Sequence, residues 1–145
     1  MRTIKTFKNK TILITGGSSG IGKAAALKLA RKGATVILVA RREELLKEVV
    51  GEIHLAGGTA HWYAGDLSKI EEIDKLTETI LADHPSIDVL VNNAGRSIRR
   101  KIEESLERYH DFERCMDINY FAPVRLIRNL LPALKQSKAG HIINS

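Results

Sequence analysis

The sequence predicts an α/β protein built on a doubly wound parallel sheet, and three observations carry that prediction. Short apolar runs of strand length alternate with stretches whose apolar residues recur at helical spacing. The strand-like runs lack the strict in-out alternation of a half-solvated sheet, so helices must cover both faces. The first run, Ile12-Leu13-Ile14, leads straight into T-G-G-S-S-G-I-G over Thr15 to Gly22, and a helix-like run follows from Lys23 to Lys32. Strand, glycine turn and helix in that order leave a helix N-terminus open to an anion, as a three-layer Rossmann fold does for a dinucleotide pyrophosphate.

Each later element follows from the same switch of period. Thr35 to Ala40 (TVILVA) is a second strand, and Leu45, Leu46, Val49, Val50 and Ile53 then mark a helix that Gly57 and Gly58 end. Thr59 to Ala64 is a third strand, followed by the helical stripe Ile70, Ile73, Leu76, Ile80 and Leu81. His84-Pro85-Ser86 stops that helix, and Ile87 to Val91 reads as the fourth strand. An arginine-rich loop, Arg96 to Lys101, leads into one long helix from Tyr109 to Gln136, with Pro123 bending it or absorbed against a neighbour. His141 to Asn144 opens a fifth strand, after which the expected sheet is truncated.

Composition sets limits on function. At 145 residues and 43% hydrophobic content the chain is one domain, residues 1–145, with apolar content sufficient for a sizeable core. The apolar runs are strand-sized and Met1 to Lys10 lacks the apolar segment of a signal peptide, so no membrane span is expected. Cys115 is the single cysteine, which suits a cytoplasmic setting and reads as a helix packing residue. The net charge is +6, but the positive residues are dispersed, with local clusters at Lys5 to Lys10, Arg41-Arg42 and Arg99-Arg100-Lys101 and no interleaved aromatics, which argues against a nucleic-acid partner. No metal site is expected.

Within the glycine turn, Gly16 permits the tight bend, Gly20 brings backbone close to phosphate and Gly22 lets the helix pack. Arg41 and Arg42 follow the second strand, where an acidic residue would accept from a free ribose 2'-hydroxyl. No carboxylate stands there, and a guanidinium fork suits a 2'-phosphate, so NADP(H) is the expected cofactor. The alternative, two arginines capping a solvated helix start, sets cations against the helix dipole.

With these residues in place the chain resembles the N-terminal, cofactor-binding portion of a classical short-chain dehydrogenase/reductase. Thr15-Gly16, Gly20 and Gly22 match that family's T-G-x-x-x-G-x-G motif, with Ser18, Ser19 and Ile21 inside it. Asp66-Leu67 matches its adenine-contacting pair, Asn92-Asn93-Ala94-Gly95 its N-N-A-G motif, and Asn119 its helix asparagine. The loop Gly95 to Ile102 and the run Asp117 to Leu126 are similar to members that reduce fatty acyl thioesters or long-chain aldehydes.

The resemblance implies that Asp66 accepts from the adenine amino group against Leu67, although an aspartate here can equally cap the next helix, with Ser68 competing. It implies that Ala94 and Gly95 make room for the nicotinamide ribose beside Asn93, where the plain alternative is a polar turn. Thr15 can tie the glycine turn to the fourth strand, and Ser18 and Ser19 can donate to pyrophosphate or cap the helix. Asn119 is the candidate catalytic residue, bracing the long helix so that a backbone carbonyl and a water extend a proton relay; otherwise it is a local hydrogen-bonding residue.

The family's catalytic serine aligns two residues beyond Ser145, and its Y-x-x-x-K pair has no counterpart, since Tyr109 and Tyr120 are followed four residues on by Glu113 and Val124. The expectation is therefore split. The intact enzyme is an NADP-dependent oxidoreductase acting on a small or lipid-like carbonyl or the matching alcohol, as a homo-oligomer joined through the long helix; this chain alone is inactive. The alternative is a non-catalytic structural or interaction protein derived from the dehydrogenase fold.

Overall fold

The computed structural model describes residues 6–145, so part of the basic Lys5 to Lys10 cluster lies outside the described residues. Strands β1 (Thr11–Thr15), β2 (Thr35–Ala40), β3 (Thr59–Ala64), β4 (Val89–Asn92) and β5 (His141–Asn144) form one five-stranded sheet in the order β3-β2-β1-β4-β5. Every pairing is parallel, with Leu13 opposite Ile37 on one side and Leu90 on the other. The order reverses between β2-β1 and β4. The carboxyl ends of β1 and β4 thus diverge into different loops and leave a crevice.

The helices are α1 (Gly20–Arg31), α2 (Glu43–Leu55), α3 (Ile70–Asp83), α4 (Tyr109–Met116) and α5 (Ala122–Gln136). Alternate strand residues feed two cores. Ile12, Ile14, Val36 and Leu38 pack with Ala26 and Ala30 of α1 and with Leu46, Val49 and Ile53 of α2. Leu13, Ile37, Val39 and Leu90 pack with Ile73 and Ile80 of α3 and with Leu126 and Leu130 of α5. This double coverage is why β1 and β2 read as unbroken apolar runs. The second layer is also tied by charge: Arg125 of α5 donates to both oxygens of Asp74 on α3 at 2.7 and 2.6 Å, and Asn129 adds a third donor at 2.8 Å. Arg125 first, then Asn129, hold the Asp74 carboxyl down at about 2.

Three boundaries differ from the sequence expectation. Helix α1 begins at Gly20 rather than Lys23, so the end of the glycine motif is its first turn. The fourth strand begins at Val89, because Ile87 is fully buried with its N–H donated to the Ala133 carbonyl of α5 rather than into the sheet. The expected single helix Tyr109 to Gln136 is corrected to α4, a wide turn over Asp117–Phe121, and α5. Pro123 supplies the reason. It has no N–H for the carbonyl of Asn119, four residues back, and the backbone widens so that Ala122 N–H reaches Asp117 five residues back. Pro132 lies inside α5. Cys115 is half-buried and free.

Candidate cofactor cleft

Three chain segments meet at the carboxyl end of the sheet. Leaving β1, the backbone turns at Gly16 (φ +68°) and Gly20 (φ +55°), both in the left-handed region that favours glycine. Gly22 is constrained differently. A Cβ there would collide with the Gly16 carbonyl oxygen and stand 2.7 Å from Asn93 Nδ2. The glycine thus allows the first turn of α1 to close on the loop and on the exit of β4, a tighter partner than the neighbouring strands.

Thr15 joins the loops. Its buried hydroxyl accepts from the N–H groups of Asn93 at 3.0 Å and Ala94 at 2.9 Å, and donates to the Val91 carbonyl at 3.4 Å. Asn93 completes the tie through its side-chain amide, which donates to the Thr15 carbonyl at 3.0 Å. Asn92 instead faces β5, donating to Asn144 Oδ1 at 2.8 Å; its own Oδ1 is buried without a partner among the described residues.

Ser19 is the N-cap of α1 and makes no side-chain capping bond, so the helix-start N–H groups are not capped by it. Arg42 stands at the same position on α2, again without a side-chain cap. Neither Arg41 nor Arg42 is in an ion pair among the described residues.

Asp66 does not cap α3, whose N-cap is Lys69. Its Oδ1 accepts from Ser68 N–H at 3.0 Å and Ser68 Oγ at 2.7 Å, while Glu72 reaches back to Asp66 N–H at 2.8 Å. Ser68 does not take the capping role either. Partial burial pushes the Asp66 carboxyl up, but the Ser68 hydrogen bonds and the charges of Arg41 and Lys69 prevail and leave it below the usual carboxylate range.

Together these segments enclose a cleft of about 730 Å³. Its lining includes Gly16, Ser18, Ser19, Ile21, Arg41, Arg42, Asp66, Leu67, Asn93, Ala94 and Gly95. Thr15, Gly20 and Gly22 are outside that lining and set the shape of the loop through the contacts and backbone angles above. The features fit a dinucleotide: an uncapped helix start and a glycine where a Cβ would block closure suit pyrophosphate, and two unpaired guanidiniums suit a further phosphate.

Asn119 stands apart from the cleft. Its side chain clamps the peptide groups of Arg96, accepting from Arg96 N–H at 2.8 Å and donating to the Arg96 carbonyl at 2.8 Å. It lines a neighbouring hollow of about 330 Å³ shared with Ala94, Gly95, Tyr120, Pro123, Val124 and Ser145. The cleft wall also includes Ala40, Gly65 and Ser68, neighbours of predicted residues, and Arg96, Arg114, Asp117 and Ile118, which the sequence reading missed. Arg96 is adjacent to N-N-A-G, and Asp117 and Ile118 open the run Asp117 to Leu126 that carried the finer resemblance; Arg114 arrives only through the packing of α4.

A family model described as short chain dehydrogenase matches residues 10–145, and the chain belongs to that family. A fatty acyl-CoA reductase of Acinetobacter baylyi is 51% identical over 137 residues, covering 94% of this chain and 46% of its own length. A fatty acyl-CoA reductase of Mycobacterium tuberculosis is 53% identical over 135 residues, covering 93% and 46% respectively. The chain thus spans about half the length of the curated relatives it matches. Among solved structures, a metagenomic short-chain oxidoreductase in complex with NADP superposes with a TM-score of 0.88 at 39% identity, over 95% of this chain and 62% of that one. The L-sorbose reductase of Gluconobacter frateurii, complexed with NADPH and L-sorbose, gives 0.88 at 32% identity, over 96% and 52%.

Proposed function

We propose that the chain is the NADP(H)-binding portion of an oxidoreductase interconverting a carbonyl and an alcohol. The observation that carries this reading is the cleft itself, with Arg41 and Arg42 beyond β2 and no carboxylate in their place. The α1 start, Ser18, Ser19 and Ile21 would hold the pyrophosphate, Asp66 and Leu67 the adenine, and Asn93, Ala94 and Gly95 the nicotinamide ribose. When bound, NADPH supplies a hydride. Asn119 positions the Arg96 peptide with its side chain, while Pro123 denies its backbone carbonyl the usual α-helical donor; a water held at that carbonyl would extend a proton relay. The two fatty acyl-CoA reductases support a long-chain acyl thioester or aldehyde as substrate, and the adjoining hollow, with Pro123, Val124 and Ile127 in its wall, suits an apolar chain.

Titration tests the cofactor assignment. NADPH is expected to bind roughly tenfold or more tightly than NADH, the worth of one charge-assisted contact, and Arg41→Ala to shrink that preference. Equal affinity for both nucleotides would overturn the assignment, and no affinity for either would favour the non-catalytic class.

Turnover needs an acid beside the carbonyl, and these 145 residues hold no Y-x-x-x-K pair. A polypeptide verified to end at Ser145 is therefore expected to show no NADPH-dependent reduction of aldehyde, ketone or acyl thioester above background. Robust turnover would demand another donor, such as Tyr109 or Tyr120.

The same polypeptide is expected to self-associate. Tyr109 (73% exposed), Phe112, Met116, Tyr120 and Phe121 stand out along α4 and the wide turn, and Ile142 and Ile143 of edge strand β5 are also exposed. Sedimentation showing one monomeric species across micromolar concentrations would contradict this.

A further inference from the structure

The loop after N-N-A-G carries Arg96, Arg99, Arg100 and Lys101 within six residues and no acid among them. All four are exposed, and the run is held at two points. Arg96 is clamped by Asn119, as described above, and Arg100 pairs with Asp111 of α4 at 3.5 Å. Asp111 is buried, and it gathers further cations: Arg108 at 2.9 Å, His110 at 3.3 Å and Arg114 at 4.0 Å. One carboxylate therefore serves three guanidiniums, and it brings the far end of the loop back to the α4 wall where Arg114 lines the cofactor cleft. Arg96, Arg99 and Lys101 have no ion-pair partner among the described residues. Glu103, Glu104 and Glu107 follow in sequence, are exposed, and pair with none of these cations. Asp111 offsets only one of these charges, so a surplus of positive charge remains beside the cleft that a further anion would neutralise.

We propose that loop 96–101 and Arg114 bind the phosphate groups of a coenzyme A thioester, holding the substrate by its carrier beside the cofactor cleft. This rests on the acyl thioester reading above. Guanidinium groups suit phosphate oxygens through paired donors, and a carrier fixed at the rim leaves the acyl end free to reach the apolar hollow. Arg41 and Arg42 are assigned a different phosphate, and Arg99, Arg100 and Lys101 lie outside the lining of the cofactor cleft, so both ligands are expected to bind one chain at once.

The test is a titration of the chain with coenzyme A, with and without saturating NADPH. Coenzyme A should bind in both cases, the 3'-dephospho form more weakly, and Arg99→Ala/Lys101→Ala should weaken coenzyme A roughly tenfold or more while NADPH affinity stays unchanged. Unchanged NADPH affinity also shows that the variant folds. Three results would overturn the proposal: coenzyme A displaced by NADPH, which places it in the cofactor cleft; NADPH bound but coenzyme A not; or equal coenzyme A affinity in the variant. Coenzyme A bound without any NADPH binding would instead sink the cofactor reading and leave this site standing.

Discussion

Gly22→Ala is expected to weaken NADPH binding by roughly a hundredfold, the worth of about two charge-assisted hydrogen bonds. The added Cβ would overlap the Gly16 carbonyl oxygen and press on Asn93 Nδ2 at 2.7 Å, and neither is the loose end of a flexible chain. Gly16 is backbone, and Asn93 is held by its bond to the Thr15 carbonyl. Relief requires the first turn of α1 to move away from the glycine loop, which misaims the N–H groups that would meet pyrophosphate. Gly51→Ala is the control. It lies in α2, outside the cleft lining, where a Cβ would meet nothing within 4 Å, so NADPH affinity should stay unchanged. Isothermal titration of both variants checks the contrast. Equal, small losses would show that the loop yields easily and that Gly22 is not the constraint.

Thr15→Val is expected to lower the melting temperature by about 5–10 °C. The side chain is almost isosteric and 1% exposed, so the change isolates the hydroxyl. Ala94 N–H would lose its acceptor at 2.9 Å, an unsatisfied group costing about 1–3 kcal/mol. Asn93 N–H keeps a second acceptor, the Val91 carbonyl at 3.1 Å, so its loss is smaller. The loops leaving β1 and β4 would then part, and NADPH binding should weaken with them. Thr15→Ser keeps the hydroxyl and should melt near the parent. Equal melting of the valine and serine variants would show that packing, rather than this hydroxyl, joins the two loops.

Much of the architecture is legible in linear sequence because its causes are local. Thr35–Ala40 and Thr59–Ala64 are bounded by glycine, arginine and helical stripes, and their limits follow from composition alone. The glycine motif likewise announces its turn, since φ values of +68° and +55° favour glycine. Ile87 shows the limit of such reading. Its β-branched side chain suits a strand, but its N–H is taken by α5, a partner that lies 46 residues on (87 to 133). Nothing near Ile87 records that contact.

The sequence by itself determined the succession of strands and helices along the chain, the glycine turn, the basic residues beyond β2 and the family to which the chain belongs, because each depends on residue type at short spacing. Only the tertiary structure decided how those pieces act on one another. It set Asn119 against the Arg96 backbone and brought Arg114, Asp117 and Ile118 into the cleft wall. The physical reason is the wide turn at Pro123, which breaks a uniform helical period and sets which residues of α4 face the sheet's carboxyl edge. A proline's missing N–H is visible in sequence, but where the displaced hydrogen bonds go depends on what the helix packs against.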